Sequence, residues 1–151
     1  MDTIASFEVD HTKLKPGIYI SRVDGDIVTY DLRVTAPNRE YLETGAIHTV
    51  EHLFAVHSRN GKYGKSIIYF GPMGCRTGFY LLTRNLPDEE ALKLIKETML
   101  FISEYPDDMP IPGVSEKECG NYKDHDLKGA KRLASIYYNI IRNLNIKDFS
   151  Y

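Results

Sequence analysis

The sequence contains no tryptophan, only two cysteines and no apolar run long enough to cross a membrane. A membrane-spanning helix needs roughly 18 or more consecutive apolar residues, and residues 1–17 also lack the basic and apolar regions of an export signal. These absences predict a cytoplasmic protein. In that compartment a structural disulfide between Cys75 and Cys119 is disfavoured, so both thiols are available for metal binding or catalysis.

An excess of charge of one sign is also absent. The 19 basic and 21 acidic side chains give a net charge of −2, and no basic block stands out. The chain therefore lacks the positive footprint with which proteins bind nucleic acids or anionic membranes, and we expect a small-molecule or protein partner. The length of 151 residues suits one domain, residues 1–151, whose core needs no disulfide.

Strand-like segments occur in two pairs. The stretches GIYISRV and DIVTYDLRV are rich in β-branched and aromatic residues and are separated by Asp24-Gly25, so we predict a β-hairpin. SIIYF and CRTGFYLLTR are predicted as strands on either side of a turn at GPMG. Cys75 would then lie where a strand leaves a tight turn.

Three segments have the apolar spacing of amphipathic helices. The first begins near Ala46 and ends at Asn60-Gly61, a pair typical of a left-handed helix stop. The second begins after Pro87, where acidic residues complement the helix dipole, and the third is capped by Asp126. Because strict βαβ alternation is lacking, the pattern favours an α+β fold, with a mainly antiparallel sheet packed against about three to four helices.

Two histidines and a glutamate lie close together in the stretch GAIHTVEHLFAVHSRN. On a helix, positions i, i+3 and i+4 share a face, so His48, Glu51 and His52 project into one small volume. Two imidazoles can chelate one cation, and Cys119, next to Gly120, is the candidate for the third ligand of a catalytic zinc-type site. This donor set suits Zn²⁺ or a similar metal better than Mg²⁺ or Ca²⁺.

The same pattern also has less specific interpretations. The two histidines are equally compatible with a solvated polar helix face, and Glu51 with either a proton carrier beside a metal or a surface salt-bridge partner. His57 points away from the pair by helical phase and is interpreted as structural. His125 precedes the helix cap, and we favour a role in covering the helix start over one in sensing the site.

Cys75 follows a turn that contains two glycines. A lone cysteine often fills space in a core, where it behaves as a small apolar residue. Ordering a glycine-rich turn costs more conformational entropy than ordering other residues, so such a turn is an unfavourable place for a residue that only fills space. The position of Cys75 therefore favours a reactive thiol.

The sequence resembles the S-ribosylhomocysteine lyase (LuxS) family in five blocks that run in order through nearly the whole chain: SFEVDHTK, DLRVTAPN, IHTVEHLFA, GPMGCRTGFY and ECGNY. The resemblance implies roles for the matching residues: metal ligands His48, His52 and Cys119, an acid/base pair Glu51 and Cys75, and substrate contacts Ser6, His11 and Arg33. Without the resemblance, Ser6 and His11 would be assigned to a disordered terminus, and Arg33 to an exposed strand position.

The resemblance also implies a reaction. It is the cleavage of the thioether of S-ribosylhomocysteine to homocysteine and 4,5-dihydroxy-2,3-pentanedione, the precursor of the quorum-sensing signal autoinducer-2, by carbonyl migration and β-elimination. It further implies a homodimer with active sites at the subunit boundary and one divalent metal per subunit, Fe²⁺ first and Zn²⁺ or Co²⁺ as substitutes. The homocysteine could equally be recycled in the activated methyl cycle.

One segment departs from the family, and two other functions fit part of the pattern. Family members often carry Asp-x-Ser before Pro-Met-Gly-Cys, where this sequence has Tyr69, Phe70 and Gly71. The motif H-x-x-E-H also occurs in metallopeptidases, although these usually have an acidic third ligand and a much larger chain. A non-catalytic metal-binding domain is the other alternative, and it would need Cys75 as a fourth ligand.

Overall fold

The computed structural model describes all residues, 1–151, and consists of four α-helices and a four-stranded sheet. The helices are α1 (Ala5–Glu8), α2 (Thr44–Asn60), α3 (Asp88–Ser103) and α4 (Leu127–Ile141). The strands are β1 (Gly17–Asp24), β2 (Ile27–Arg33), β3 (Ile67–Pro72) and β4 (Gly78–Arg84), and two short 3-10 helices cover Gly64–Ser66 and Ile146–Asp148. The predicted α+β class is confirmed. None of the helices has both the length and the apolar character needed to cross a membrane.

The sheet has the order β1-β2-β4-β3, and each neighbouring pair is antiparallel. The predicted hairpin is confirmed, and Gly25 in its turn has a φ of 62°, which glycine adopts without a steric penalty. At the other end of β2, Arg33 pairs with Gly17 of β1 and with Gly78 of β4. Arg33 therefore lies next to the turn that precedes β4, where Cys75 is found.

The helices α2, α3 and α4 pack against one another, and they contact the sheet through β3 and β1. The predicted apolar face of α3 is buried, and the predicted face of α4 is buried along most of its length. One hydrophobic cluster joins residues of the sheet and of these three helices. Since each fully buried large apolar side chain contributes about 1.5–3 kcal/mol, this shared core fixes α2 against the sheet.

Some element boundaries differ from the sequence predictions. Helix α2 does end at Asn60, but Gly61 is extended, with φ −86° and ψ −175°, so the predicted left-handed stop is wrong. Strand β3 continues through Pro72, and β4 begins only at Gly78. Cys75 consequently lies inside the turn, which the Met73 N–H closes by donating to the Gly78 carbonyl at 2.9 Å.

The chain between α3 and α4 forms neither a helix nor a strand. It ends where the carboxylate of Asp126 accepts a hydrogen bond of 2.9 Å from the Gly129 N–H, so the predicted cap of α4 is confirmed. The N–H of Asp126 in turn donates to the Gly45 carbonyl at 3.2 Å. This contact ties the irregular segment to the start of α2.

Candidate metal centre and active-site cavity

Four potential metal ligands meet between α2 and the loop before α4: His48, His52, Cys119 and His125. One ligand atom from each lies within 4.8 Å of all the others, so the group could hold a single metal ion. Cys119 Sγ lies 3.3 Å from His48 Nε2 and 3.8 Å from His125 Nε2. The three residues expected from the sequence to be ligands are thus neighbours, and their role as ligands stays a prediction.

Backbone carbonyls orient the first two imidazoles. His48 Nδ1 lies 2.8 Å from the Asp124 carbonyl oxygen, and His52 Nδ1 lies 2.8 Å from the Pro112 carbonyl oxygen. A carbonyl can only accept, so Nδ1 carries the hydrogen in both rings and Nε2 keeps a free lone pair. Each ring is therefore prepared to coordinate through Nε2.

His125 is part of the same cluster, so the favoured interpretation that it only covers the helix start is wrong. Its ring stacks on His48 with centroids 3.9 Å apart and lies edge-on to His52 at 4.7 Å. Desolvation, and then the charges of these two histidines, lowers the pKa of His125 to about 4, so its ring is neutral at pH 7. In the sequence, His125 follows the candidate ligand Cys119 by only six residues, and this short separation was the signal that could have placed it in the cluster.

The Nδ1 atom of His125 contacts a hydroxyl group, whereas the Nδ1 atoms of His48 and His52 contact backbone carbonyls. His125 Nδ1 lies 3.0 Å from Thr49 Oγ1, which also accepts the Asp126 N–H at 3.0 Å. Thr49 is fully buried, so its hydroxyl hydrogen cannot be given to bulk water. A hydroxyl, unlike a carbonyl, can donate to the ring nitrogen.

The other two polar residues singled out on α2 occupy different environments. Glu51 is half-buried and directly precedes His52 on the helix. Its assignment as a proton carrier stays a prediction. His57 stacks on Phe101 with centroids 3.9 Å apart, and desolvation lowers its pKa. This packing agrees with the interpretation of His57 as structural.

A second group of candidate residues lines a cavity of about 310 Å³ between the amino-terminal segment and the turn before β4. Ser6, His11, Arg33 and Cys75 all contribute to its wall. Ser6 lies in α1, and His11 Nδ1 donates to the Val9 carbonyl at 2.7 Å, so the alternative of a disordered terminus is wrong. The cavity thus unites the three expected substrate contacts with the exposed thiol.

Arg33 is only 3% exposed, so the alternative of an exposed strand residue is also wrong. Its Nε and Nη2 donate to the two carboxylate oxygens of Asp31 at 3.1 and 2.6 Å. Burial by itself lowers the pKa of Arg33, but the hydrogen bonds and charge of Asp31 outweigh it and raise that pKa overall. A permanent positive charge therefore lies beside Cys75, whose Sγ is 4.0 Å from Arg33 Nη1.

Two buried residues of this region were not found from the sequence. Asp31 also accepts a hydrogen bond of 2.7 Å from the hydroxyl of Tyr151, and burial, followed by Asp31, raises the pKa of Tyr151. Thr77 Oγ1 lies 2.8 Å from Arg33 Nη1 and 3.0 Å from Cys75 Sγ. Asp31 could have been found from the sequence, because it lies two residues before Arg33 on the same strand and its side chain therefore faces the same side.

The two groups of candidate residues are separate within one chain. The residues that line the cavity include Cys75 and Arg33, but neither Glu51 nor any member of the four-residue cluster. One small molecule in that cavity would therefore contact the thiol without contacting the clustered histidines, His48, His52 and His125, of the same chain.

The segment Tyr69-Phe70-Gly71, which the sequence resemblance marks as a departure, lies in β3. Tyr69 is 51% exposed, and its ring folds over Gly71. A Cβ atom added at Gly71 would lie 2.0 Å from the Tyr69 hydroxyl oxygen. A serine at this position would force the Tyr69 ring to move, so the tyrosine and the glycine depend on each other.

Comparisons with known proteins agree with these features. The family model described as S-ribosylhomocysteinase (LuxS) matches residues 4–147. An S-ribosylhomocysteine lyase of Finegoldia magna is 48% identical over 100% of this chain and 99% of its own length. Those of Borrelia garinii subsp. bavariensis and Clostridium acetobutylicum are 46% and 40% identical, each with 100% of this chain and 99% of the relative covered. The chain belongs to the S-ribosylhomocysteinase (LuxS) family.

Proposed function

We propose that this family member is an S-ribosylhomocysteine lyase that releases homocysteine and 4,5-dihydroxy-2,3-pentanedione, the precursor of autoinducer-2. The observation that carries the proposal is the cavity in which an exposed thiol, Cys75, lies beside the buried cation of Arg33. In this proposal residues 1–151 act as one metalloenzyme domain. A reducing, cytoplasmic location belongs to it, because both cysteines are free thiols.

The donor set of His48, His52 and Cys119 suits a borderline divalent metal, with Fe²⁺ as the first candidate and Zn²⁺ or Co²⁺ as substitutes. The fit rests on the spacing of the ligand atoms and on the two carbonyls that leave both Nε2 atoms free. When bound, the metal would stabilise negative charge that develops on the sugar oxygens. The residues of the chain supply binding and proton transfer.

His125 is proposed as a neighbour of the metal rather than as a ligand. The buried Thr49 hydroxyl already accepts the Asp126 N–H, and its own hydrogen can go to His125 Nδ1. His125 then carries its hydrogen on Nε2 and directs it at Cys119 Sγ, 3.8 Å away. Three protein ligands and one open position characterise catalytic sites, whereas a fourth ligand would close the site as in a structural one.

Proton transfer accounts for the proposed roles of Cys75 and Glu51. The carbonyl of the sugar must move from C1 through C2 to C3, and each move takes a proton from one carbon and returns one to its neighbour. We assign the carbon protons to Cys75 and the oxygen protons to Glu51. Ser6, His11 and Arg33 would hold polar groups of the substrate in the cavity.

The final step is a β-elimination. With the carbonyl at C3 the C4 proton is acidic, and its removal to the base forms the C4–C5 double bond while the C5–S bond breaks. The electron pair of that bond leaves on sulfur, which takes a proton to give homocysteine. The remaining enol rearranges to the dione, so no water and no oxidant is consumed.

A homodimer with shared active sites is part of the proposal. It is supported by the separation of the Cys75 cavity from the His/Cys cluster within one chain. A twofold axis would bring the cavity of one subunit to the cluster of the other, and it would repeat this contact at a second site. Each substrate molecule would then meet Cys75 of one chain and Glu51 of its partner.

The test is the release of free thiol from S-ribosylhomocysteine by protein purified without oxygen and loaded with Fe²⁺. The wild-type protein should release thiol, whereas Cys75→Ala and metal-stripped protein should not. Metal content, measured in parallel, should be the same in Cys75→Ala as in the wild type. Absence of thiol release from folded, metal-loaded wild-type protein would reject the lyase function.

A further inference from the structure

We propose that Thr77 is a positioning residue that holds the thiolate of Cys75 through a hydrogen bond whose direction is imposed by Arg33. The role of Cys75 in catalysis rests on the proposed lyase function, but the hydrogen bond itself does not. The proposal extends the active site by a residue that touches neither substrate nor metal and acts through the sulfur.

The direction of the hydrogen bond follows from the donors and acceptors present. A guanidinium has only donors, so in its 2.8 Å contact with Arg33 Nη1 the Thr77 Oγ1 atom must accept. The hydroxyl of Thr77 has a single hydrogen, and Cys75 Sγ lies 3.0 Å from the same oxygen. We infer that this hydrogen points at the sulfur, which is the acceptor within reach of it.

A thiolate satisfies this arrangement better than a thiol does. Hydrogen bonds to an ionised acceptor are about twice as strong as neutral ones. If Cys75 were a thiol that donated to Thr77 Oγ1, the threonine hydrogen would need another acceptor. Thr77 is only 1% exposed, so water is not readily available to accept it.

The backbone holds the Thr77 hydroxyl in a fixed position. The Thr77 carbonyl accepts the N–H groups of Val34 and Thr35 at 2.9 and 3.1 Å, just after β2. Gly78, the next residue, pairs with Arg33 in the sheet. Cys75 itself is exposed in the turn, so the anchored threonine limits the positions of a sulfur that otherwise has few contacts.

The hydrogen bond to Cys75 is the end of a continuous chain of hydrogen bonds that runs through Arg33. The Tyr151 hydroxyl donates to Asp31, and Arg33 donates both to Asp31 and to Thr77. Each donor atom in this chain already has an acceptor, so none of these hydrogen bonds can be redirected without leaving a polar atom unpaired. The chain ends at the sulfur, the one acceptor in it that faces the cavity.

Two other titratable side chains line the cavity, His11 and Tyr80. Neither is within hydrogen-bond distance of Cys75, whereas Thr77 and Arg33 contact the sulfur directly. Replacement of the threonine hydroxyl alone therefore separates its effect from those of the surrounding charges.

The test compares Thr77→Val, which keeps the shape but removes the hydroxyl, with Thr77→Ser, which keeps the hydroxyl. In metal-loaded protein, the rate at which iodoacetamide alkylates Cys75 is followed as a function of pH by mass spectrometry of the cysteine-containing peptide. On the acidic side of this profile, where the thiol is partly protonated, Thr77→Val should slow alkylation about three- to tenfold, because the loss of one hydrogen bond to the thiolate lowers the thiolate fraction. Thr77→Ser should stay close to wild type. With substrate, kcat should fall in the valine variant while KM changes little.

Two results would overturn the proposal: an unchanged alkylation rate in folded Thr77→Val, or an equal loss in the valine and serine variants, which would indicate packing. If Thr77→Val does not fold, as judged by circular dichroism, Thr77→Ala replaces it with the same expectations. Because alkylation needs no substrate, slowed alkylation in a protein without lyase activity would support the role of Thr77 and reject the lyase function.

Discussion

Asp31 and Arg33 form a buried, two-point ion pair on one face of β2, with donor–acceptor distances of 3.1 and 2.6 Å. Their side chains are only 1% and 3% exposed. Because residues two apart on a strand point to the same side, the carboxylate holds the guanidinium without help from another strand. The remaining guanidinium nitrogen, Nη1, is left free to contact Thr77 and Cys75.

Removal of the negative charge of Asp31 should strongly destabilise the fold. In Asp31→Asn the Arg33 cation stays buried but loses its carboxylate partner, and removal of one member of a buried ion pair typically costs about 3–5 kcal/mol. The free energy of unfolding in urea measures this loss. The control is Asp26→Asn, because Asp26 forms a 3.5 Å salt bridge with Arg84 in which both side chains are about half exposed. That change should cost less than about 1 kcal/mol. Equal losses in the two variants would contradict the prediction.

The three histidines of the cluster should differ in their contributions to metal affinity. His48→Asn or His52→Asn removes a proposed ligand, so tight binding of one Co²⁺ or Zn²⁺ per chain should be lost. His125→Asn should keep one metal per chain with an affinity about 10- to 100-fold lower, as for a residue outside the ligand shell. Competition with a chromogenic chelator measures the affinities, and His57→Asn serves as a control that should leave them unchanged.

The thiolate-to-cobalt absorption band gives an independent readout for His125. In His125→Asn the band should shift but persist, because the proposed ligand Cys119 would stay in place and lose one hydrogen-bond donor. Complete loss of tight binding in this variant would identify His125 as a fourth ligand instead.

Two inactive variants should restore activity when their subunits are exchanged. In the proposed homodimer, Cys75→Ala would lack the thiol and His52→Asn would lack the metal, so each variant alone should be inactive. A mixed dimer would contain one site with both intact residues if sites are shared between subunits. Random exchange should then restore about one quarter of wild-type thiol release, because half of the dimers are mixed and half of their sites are intact. Absence of recovery after verified exchange would place each complete site within one chain.

Acidification should destabilise the protein through His57. Burial lowers its pKa below the usual 6.5 in the folded chain, so below that pH the unfolded chain binds a proton that the folded chain rejects. The stabilising contribution is complete above pH 6.5 and is lost as the pH falls through the lower, folded pKa. His57→Phe should keep the stacking on Phe101 and flatten this part of the pH dependence. Urea unfolding of both proteins between pH 7 and pH 5 measures it, and identical slopes would contradict the prediction.

The elements of the fold were largely predictable because their signals are local. The spacing of apolar residues located α2, α3 and α4, and the turn residues Asp24-Gly25 located the first hairpin. The spacing of His48 and His52 on one helix likewise fixed their common face. The end of α2 and the start of β4 were less predictable, since the hydrogen bonds that decide them come from neighbouring turns.

Periodicity and capping act within a few residues, so they were enough to predict α2, α3 and α4, the four strands in outline and the common face of the histidine pair. The burial of Arg33, the place of His125 in the cluster and the contact between Thr77 and Cys75 depend on how the elements pack together. The carbonyls that orient the two histidines come from the irregular segment before α4, which has no periodic signal. These contacts join residues far apart in the chain, so the packing of the shared core determines them.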